Sequence, residues 1–416
     1  MRSGIEPSIQ VDEYPAARQS LRVAVVTETY PPEVNGVAAT IASFVHGLRR
    51  RNHVVQVVRP RQSTEADAAD SDHEVLTTGV PIPRYPHLKM GLPSKRALVN
   101  LWKLRRPDVV HVVTEGPLGW SAVQAAATLR LPVCSDFRTN FHSYSRHYGI
   151  GWLQRPILAY LRKFHNRTQV TMVPTEGLQR QLRAAGFRNV QVVARGVDTT
   201  LFTPARRSEP LRREWGARPD NRVVMHVGRL ASEKNLGVLV AVYDALIARD
   251  PKLVFVFVGD GPARGEMQAR CSGAVFAGMR KGIDLAAHYA SGDIFLFPST
   301  TETFGNVTAE AMASGLAVVA YDYAAANALI DHGTSGMLAP LDDERAFLHL
   351  ASELVRDPLA AGRIGAAARS VAESHSWDRV VAQLETVFLQ VIREAVLSLE
   401  MIPERTEPAI PMPFDY

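Results

Sequence analysis

The chain has little cysteine, no long apolar run and little acid in its first half, and each shortage excludes a class of protein. Two cysteines in 416 residues, Cys134 and Cys271, stand 137 positions apart and outside any CxxC. That excludes a disulfide framework and a zinc site of the usual spacing, so both read as small core residues. No apolar run approaches the ~18 residues of a membrane-spanning helix. The longest, 253–258 and 293–298, have strand length, so membrane contact is expected to be peripheral. The first 20 residues carry Arg2, Glu6, Asp12, Glu13 and Arg18 with no hydrophobic stretch. They do not read as a secretory signal, and the chain is expected in the cytoplasm. The first βα turn lacks GxGxxG, which weakens a dinucleotide oxidoreductase reading. No RNA- or DNA-binding module signature is present, which weakens a non-catalytic nucleotide- or nucleic-acid-binding reading.

What remains has the balance of a folded protein: 46% hydrophobic and 21% charged residues, with length for two or three domains. Residues 1–200 hold 26 Lys and Arg against 15 Asp and Glu, and the remainder 21 against 27. A basic half suits nucleic acid, an anionic membrane or anionic ligands, and the sign alone does not choose. Residues 21–27 read as a buried strand, the turn-rich 30–36 leads into a helix over 37–50, and 54–58 is the next strand, a βαβ unit. Strands are expected again at 109–113, 132–137, 170–174 and 190–194. After the polar stretch 198–221 the count restarts, at 223–227, 253–258, 274–276, 294–298 and 317–320. The expected fold class is α/β, two doubly wound parallel-sheet domains facing across a cleft, with ligands outside the carboxyl ends of the strands. The boundaries read as an N-terminal extension 1–20, a first domain 21–200, a second domain 201–376, a helix 377–400 crossing back to the first domain, and a disordered tail 401–416. Residues 65–74, rich in Ala, Asp and Ser, read as a mobile loop.

The most informative stretch runs from Pro298 to Glu310, following a strand and opening a helix. Asn306 suits an N-cap and Gly315 a stop, while Ala309, Ala311 and Ala313 keep the helix thin enough to lie close to the sheet. Free N–H groups and the helix dipole at its amino end favour a phosphate. Glu302 before it and Glu310 one turn inside can reach to either side, and carboxylates accept from vicinal sugar hydroxyls. Gly228-Arg229-Leu230 follows another strand and is trailed by Glu233-Lys234-Asn235. A planar guanidinium and a compact ammonium five residues apart suit a diphosphate.

Together with Val258-Gly259-Asp260-Gly261-Pro262 and with Gly196-Val197-Asp198 ahead of Phe202 and Pro204, these motifs resemble the retaining glycosyltransferases of family 4, over roughly residues 20–395. The resemblance implies the GT-B fold, two Rossmann-like domains with the nucleotide sugar held mainly by the second and the acceptor by the first. It gives Arg229 and Lys234, with Gly228, the donor diphosphate, Glu302 the hexose hydroxyls and Glu310 the ribose. Backbone groups of Phe304, Gly305 and Asn306 touch sugar and phosphate, and Met279 and Arg280 lie near the nucleobase. Asn35 and Gly36 correspond to the first-domain glycine loop that lets backbone approach the transferred sugar. Retention in the family is described as front-face attack with the leaving phosphate taking the acceptor proton, so no enzymic nucleophile is needed. Glu302 as a nucleophile in a double displacement is the weaker alternative. The donor is a nucleotide diphosphate sugar, and neither a resident cofactor nor a metal is expected. Asp70-Ser71-Asp72 matches a metal-binding Asp-x-Asp string, but it sits in a polar loop with no strand before it.

One departure stands out. In the segment 136–144 the family places His before Thr, and this chain places Arg138 there, with His142 four residues later as a candidate substitute. A fixed cation replaces a neutral donor. Arg138 reads as a receptor for an anion, either the donor diphosphate or a carboxylate on the sugar such as glucuronate, or else as a structural partner of Asp136. For the acceptor, Trp152, Leu153, Arg155, Ile157, Leu158, Tyr160, Leu161, Arg162, Lys163, Phe164 and Arg167 form an aromatic and basic helical stretch, and Lys95, Arg96, Lys103, Arg105 and Arg106 a second basic cluster. Both suit an anionic membrane surface, or else a core face with a solvated rim. The likeness around 139–153 is to lipid-glycosylating members, sulfolipid synthases and mycobacterial-type mannosyltransferases. A membrane lipid such as diacylglycerol is therefore the expected acceptor, on the inner face of the cytoplasmic membrane, with a soluble sugar or polysaccharide as the alternative.

Overall fold

The computed structural model describes residues 20–33, 35–61, 73–82, 85–138, 154–302 and 304–400. The first half runs β1 (Arg22–Val26), α1 (Gly36–Arg50), β2 (Val54–Pro60), β3 (Glu74–Thr77), β4 (Gly79–Ile82), β5 (Tyr85–Gly91), α2 (Lys95–Leu104), β6 (Val109–Val112), α3 (Pro117–Leu129), β7 (Val133–Asp136), α4 (Gln154–His165), β8 (Val170–Val173), α5 (Glu176–Ala184) and β9 (Val190–Val192). The second runs α6 (Glu209–Glu214), β10 (Val223–Val227), α7 (Leu236–Ile247), β11 (Val254–Val258), α8 (Arg264–Arg270), β12 (Val275–Gly278), α9 (Gly282–Ala290), β13 (Ile294–Phe297), α10 (Asn306–Ala313), β14 (Ala317–Tyr321), α11 (Ala324–Leu329), β15 (Met337–Ala339), α12 (Glu344–Arg356), α13 (Pro358–Ser374) and α14 (Trp377–Glu400).

Seven strands form one parallel sheet in the order β3-β2-β1-β6-β7-β8-β9, and six form another in the order β12-β11-β10-β13-β14-β15. Every residue of β6, β7, β8, β10, β13 and β14 is buried. Helices cover both faces of such sheets, so their strands read as unbroken β-branched and aromatic runs and not as alternation. In each sheet the strand order reverses beside the first strand, β1 between β2 and β6, and β10 between β11 and β13. The crevice at such a reversal is where open α/β sheets bind ligands. The loops after β10 and β13, which carry the expected donor motifs, flank it.

The short strands β3, β4, β5 and β15 were not legible. β4 and β5 carry Pro81 and Pro86 and pair only with each other, in antiparallel fashion, outside both sheets. Proline argues against a central strand, and these are not central. Of the loop expected at 65–74, Glu74 begins β3; residues 65–72, the Asp70-Ser71-Asp72 string, residues 1–19 and the tail 401–416 lie outside the described residues.

Helix α14 packs on the first domain. It buries Val381, Leu384 and Phe388 in a cluster with Ile41, Phe44 and Val45 of α1, and Trp377 meets Phe44 edge to face with ring centres 5.7 Å apart. Arg51 Nε donates to Glu385 Oε2 at 2.7 Å. The chain passes between the two halves twice, and the passes run side by side: Val197 N donates to His375 O at 3.1 Å. Here Gly196 lies so close that a Cβ would sit 2.7 Å from Trp377 Cα. Gly196→Ala is therefore expected to destabilise by about 1–3 kcal/mol through overpacking against backbone, read as a lowered melting temperature in a thermal scan.

Candidate active site

Two glycines set the floor of the second-domain loop. A Cβ at Gly259 would lie 1.9 Å from Gly228 O, and one at Gly261 would lie 2.3 Å from Leu230 O. Only glycine permits that backbone approach. It lets Leu230 N donate to Asp260 O and Ala263 N to Leu230 O, both at 3.0 Å, so Gly228 and Arg229 are held by a second loop. Arg229 projects toward solvent, 3.6 Å from Glu233. Lys234 Nζ donates to Glu302 Oε1, which also accepts from Ser299 Oγ at 2.8 Å. The expected diphosphate cation and the expected sugar carboxylate are thus joined.

Helix α10 opens differently from the expectation. The capping residue is Gly305, in the left-handed region at φ 93°, and Asn306 is the first helical residue. Glycine takes the conformation that an L side chain resists. The Asn306 side chain is thereby released from capping, and its Oδ1 accepts from Arg195 Nη1 at 3.2 Å. Gly315 follows the helix at φ 80°, as a stop should. Ala309, Ala311 and Ala313 are all buried.

Glu310 lies one turn inside α10, and its Oε2 accepts from Tyr289 Oη at 2.9 Å. Burial pushes its carboxyl up to about 7, and the Tyr289 hydrogen bond only partly opposes this. Met279 and Arg280 follow the edge strand β12: Met279 is 63% exposed, and Arg280 Nη1 reaches Asp284 Oδ2 at 3.2 Å. On β10, His226 is kept neutral by burial, its pKa lowered to about 4, with Nδ1 3.0 Å from Leu296 O.

The first domain faces this with a helix start of its own. Asn35 caps α1, its Oδ1 accepting from Val37 N at 3.0 Å and Ala38 N at 2.8 Å. A Cβ on Gly36 would lie 3.6 Å from Arg195 Nη1 and 3.7 Å from Asn306 Nδ2, so the two helix starts approach each other across the cleft. A cavity of about 210 Å³ bridges the halves, lined by Phe137, Thr175 and Leu178 on one side and Glu302, Asp322 and Asn327 on the other. These residues follow β7, β8, β13 and β14, the carboxyl ends of both sheets.

Arg138 is 1% exposed at the end of β7. Its Nε lies 2.9 Å from Asp136 Oδ2, which also meets His111 Nε2 at 2.9 Å. Burial alone would raise the Asp136 carboxyl, but Arg138 and His111 hold it well below the usual carboxylate range. His142 lies outside the described residues. The sequence reading missed Arg195, His111 and Tyr289. Arg195 had a signal, since it stands directly before Gly196-Val197-Asp198; Tyr289 reaches Glu310 only through the packing of α9 on α10, which no local pattern encodes.

Residues 34–201 match Glycosyltransferase Family 4, and residues 221–357 match Glycosyl transferases group 1. A GDP-mannose-dependent alpha-mannosyltransferase of Mycolicibacterium smegmatis is 36% identical over 82% of this chain and 92% of its own length. The chain belongs to glycosyltransferase family 4. The Arabidopsis thaliana sulfoquinovosyl transferase SQD2 is 30% identical over 86% of this chain and 71% of that one, and the alpha-monoglucosyldiacylglycerol synthase of Acholeplasma laidlawii is 24% identical over 89% and 98%. Among solved structures, sucrose-phosphate synthase from Thermosynechococcus elongatus superposes with a TM-score of 0.70 at 17% identity, covering 90% of this chain and 100% of that one. The fold is GT-B. This family 4 member is a hexosyltransferase that draws on a nucleotide sugar.

The Glu310 carboxyl gives a pH test of this site. Between pH 4.5 and about 7 the native state keeps a proton on Glu310 that the unfolded chain has shed, so stability falls as pH rises through that window. Glu310→Gln removes the titration. Its melting temperature relative to wild type is expected to rise by a few degrees, about 2–4 °C per kcal/mol, between pH 4.5 and 8; a difference independent of pH would refute the raised carboxyl.

Proposed function

We propose that this chain is a retaining transferase that moves a hexosyl group from a UDP-sugar or GDP-mannose to a membrane lipid acceptor such as diacylglycerol. The observation that carries the donor half is the convergence of two helix starts, α1 at Gly36 and α10 at Gly305, on a cleft that also holds Arg229, Lys234 and Glu302. Breaking the anomeric C–O bond leaves its electron pair on the diphosphate. On this reading Arg229, Lys234 and the N–H groups of Phe304, Gly305 and Asn306 meet that charge, the preorganised stabilisation the step needs. The acceptor hydroxyl oxygen attacks the same face and its proton passes to the leaving phosphate oxygen, so atoms balance with no covalent enzyme intermediate and with a metal-free set of charges. Glu302 takes the hexose hydroxyls, Glu310 the ribose, and Met279 and Arg280 lie toward the base.

The acceptor half rests on the surface of the first domain. α4 buries Leu161 and Phe164 and leaves Arg155, Arg162 and Lys163 in solvent with Tyr160 partly exposed, while Trp152 and Leu153 lie outside the described residues. Arg167 stacks 5.0 Å over Trp120. At the end of α2, Leu104 is 86% exposed beside Lys103, Arg105 and Arg106, an apolar tip within a basic cluster that also includes Lys95 and Arg96. Such a face suits adsorption on anionic lipid at the inner face of the cytoplasmic membrane. No helix of the described residues is long and apolar enough to cross a membrane. The relatives named for diacylglycerol and sulfoquinovosyl transfer agree with this reading.

The test is nucleoside diphosphate release from UDP-glucose, UDP-galactose, UDP-glucuronate and GDP-mannose, each with and without anionic vesicles containing diacylglycerol. Release from one donor that depends on vesicles is the expected result. Release indifferent to vesicles would move the acceptor to a soluble glycan, and no release from any of the four would exclude these four sugars as the donor. Replacing Lys103, Arg105 and Arg106 with Ser should weaken salt-sensitive vesicle binding about tenfold, at roughly 1 kcal/mol per cation near the surface as an upper guide, while leaving nucleotide binding unchanged.

A further inference from the structure

Two arginines in the cleft carry more hydrogen-bonding capacity than the protein uses. Arg138 is wedged between Asp136 and the face of Phe44, 5.0 Å from its ring centre, and neither Nη1 nor Nη2 has a hydrogen-bond partner among the described residues. Arg195 is 6% exposed, lies 5.7 Å over the Phe304 ring and gives Nη1 to Asn306, while its Nε has no partner among the described residues. Buried guanidinium N–H groups left open are costly, and two such groups near each other add repulsion. Burial first, and the Arg138 charge next, push Arg195 down to about 9, so it is still charged at neutral pH. Asp136 offsets one of these charges and is shared with His111. An oxyanion between the two would meet the open donors.

The diphosphate has its own receptor, Arg229, Lys234 and the start of α10. Arg138 and Arg195 belong to the opposite wall, after β7 and β9, and Arg195 lies within the electrostatic reach of Glu302, the residue placed at the hexose. With Nε 2.9 Å from Asp136 Oδ2 in an ion pair, Arg138 offers its Nη1–Nη2 edge, whose spacing fits a planar carboxylate and also accommodates a sulfonate. We propose that Arg138 and Arg195 hold an oxyanion carried by the transferred hexose, so that the donor is the nucleotide diphosphate of an acidic sugar, a carboxylate or a sulfonate. This rests on the nucleotide-sugar reading of the cleft and narrows it.

Calorimetric titration of the full chain tests it. UDP and GDP are titrated first, and the nucleoside that binds fixes the donor set: UDP-glucose, UDP-glucuronate and UDP-sulfoquinovose, or GDP-mannose and GDP-mannuronate. An acidic donor is expected to bind at least tenfold more tightly than its neutral counterpart, and for the UDP set the tighter of glucuronate and sulfoquinovose identifies the oxyanion. Arg138→Gln and Arg195→Gln should each erase that preference while binding the bare nucleoside diphosphate within threefold of wild type. Equal or weaker binding of the acidic donors by wild type would overturn the proposal without any variant. Variants that lose neutral donor, acidic donor and bare diphosphate alike would reassign the pair to the diphosphate. Failure of both UDP and GDP to bind would instead remove the nucleotide-sugar reading, and this proposal with it.

Discussion

Like charge facing like charge across the cleft is the constraint around which the rest of the structure is arranged. The starts of α1 and α10 both direct partial positive charge at the same space, and Gly36 lets them approach until only a side chain's thickness separates it from Asn306. Arg138 and Arg195 add two buried cations to that space, and Lys234 and Arg229 stand at its second-domain edge. Asp136, Glu302 and Glu233 each answer one of these cations, while Arg195 has no acid in an ion pair with it among the described residues. Solvating each group with water is denied to the buried members.

The second-domain wall of the cleft pairs its cations with neighbouring acids. Lys234 rests on Glu302 and Arg229 on Glu233. Under the proposed function, a diphosphate taking Lys234 would free Glu302 to accept from sugar hydroxyls. On that proposal the two ends of the donor would be recognised together: a nucleoside diphosphate without a sugar would take the lysine and leave a partly buried carboxylate unmatched. The coupling is electrostatic and local, and needs no change of fold. Glu310 is set up differently. Tyr289 occupies one oxygen, and burial raises the carboxyl to about 7, so Glu310 exchanges its proton near neutral pH where an ordinary carboxylate is fully ionised.

The sequence made the strands and the second-domain loops legible because both depend on short-range rules. Buried parallel strands are unbroken apolar runs, and β10 falls at 223–227 as the pattern indicated. Gly259 and Gly261 are legible as a motif, though their reason is long-range: they meet the backbone of Gly228 and Leu230, some thirty residues away. The cap of α10 was misread because Asn306 and Gly305 both suit a helix start, and only the left-handed backbone at Gly305 decides between them. Arg195 was passed over although it stands directly before Gly196-Val197-Asp198, because that run does not say whether its side chain is buried. Its significance lies in Asn306 and Phe304, more than a hundred residues on. Arg138 was noticed as a substitution in a familiar segment, yet its burial and its open N–H groups emerge only from the packing of β7 against α1.

The two crossings between domains explain how groups so distant in sequence can be held to hydrogen-bond precision. Val197 pairs with His375 where the chain leaves and re-enters the first domain, and Arg369 ties the first crossing to α10 by donating to Thr199 O, Phe202 O and Ala313 O. The far end of α10 is therefore anchored to the same strap from which Arg195 projects two residues before Val197. Its near end presents Asn306 to Arg195. The strap, the helix and the arginine form a closed loop of contacts, so the distance between the two walls of the cleft at this point is set by backbone. α14 then carries the second crossing onto α1, through Trp377 on Phe44 and Val381 against Gly47, and Phe44 is the ring on which Arg138 lies. The positions of both arginines thus derive from the same pair of crossings, one through each strand of the strap.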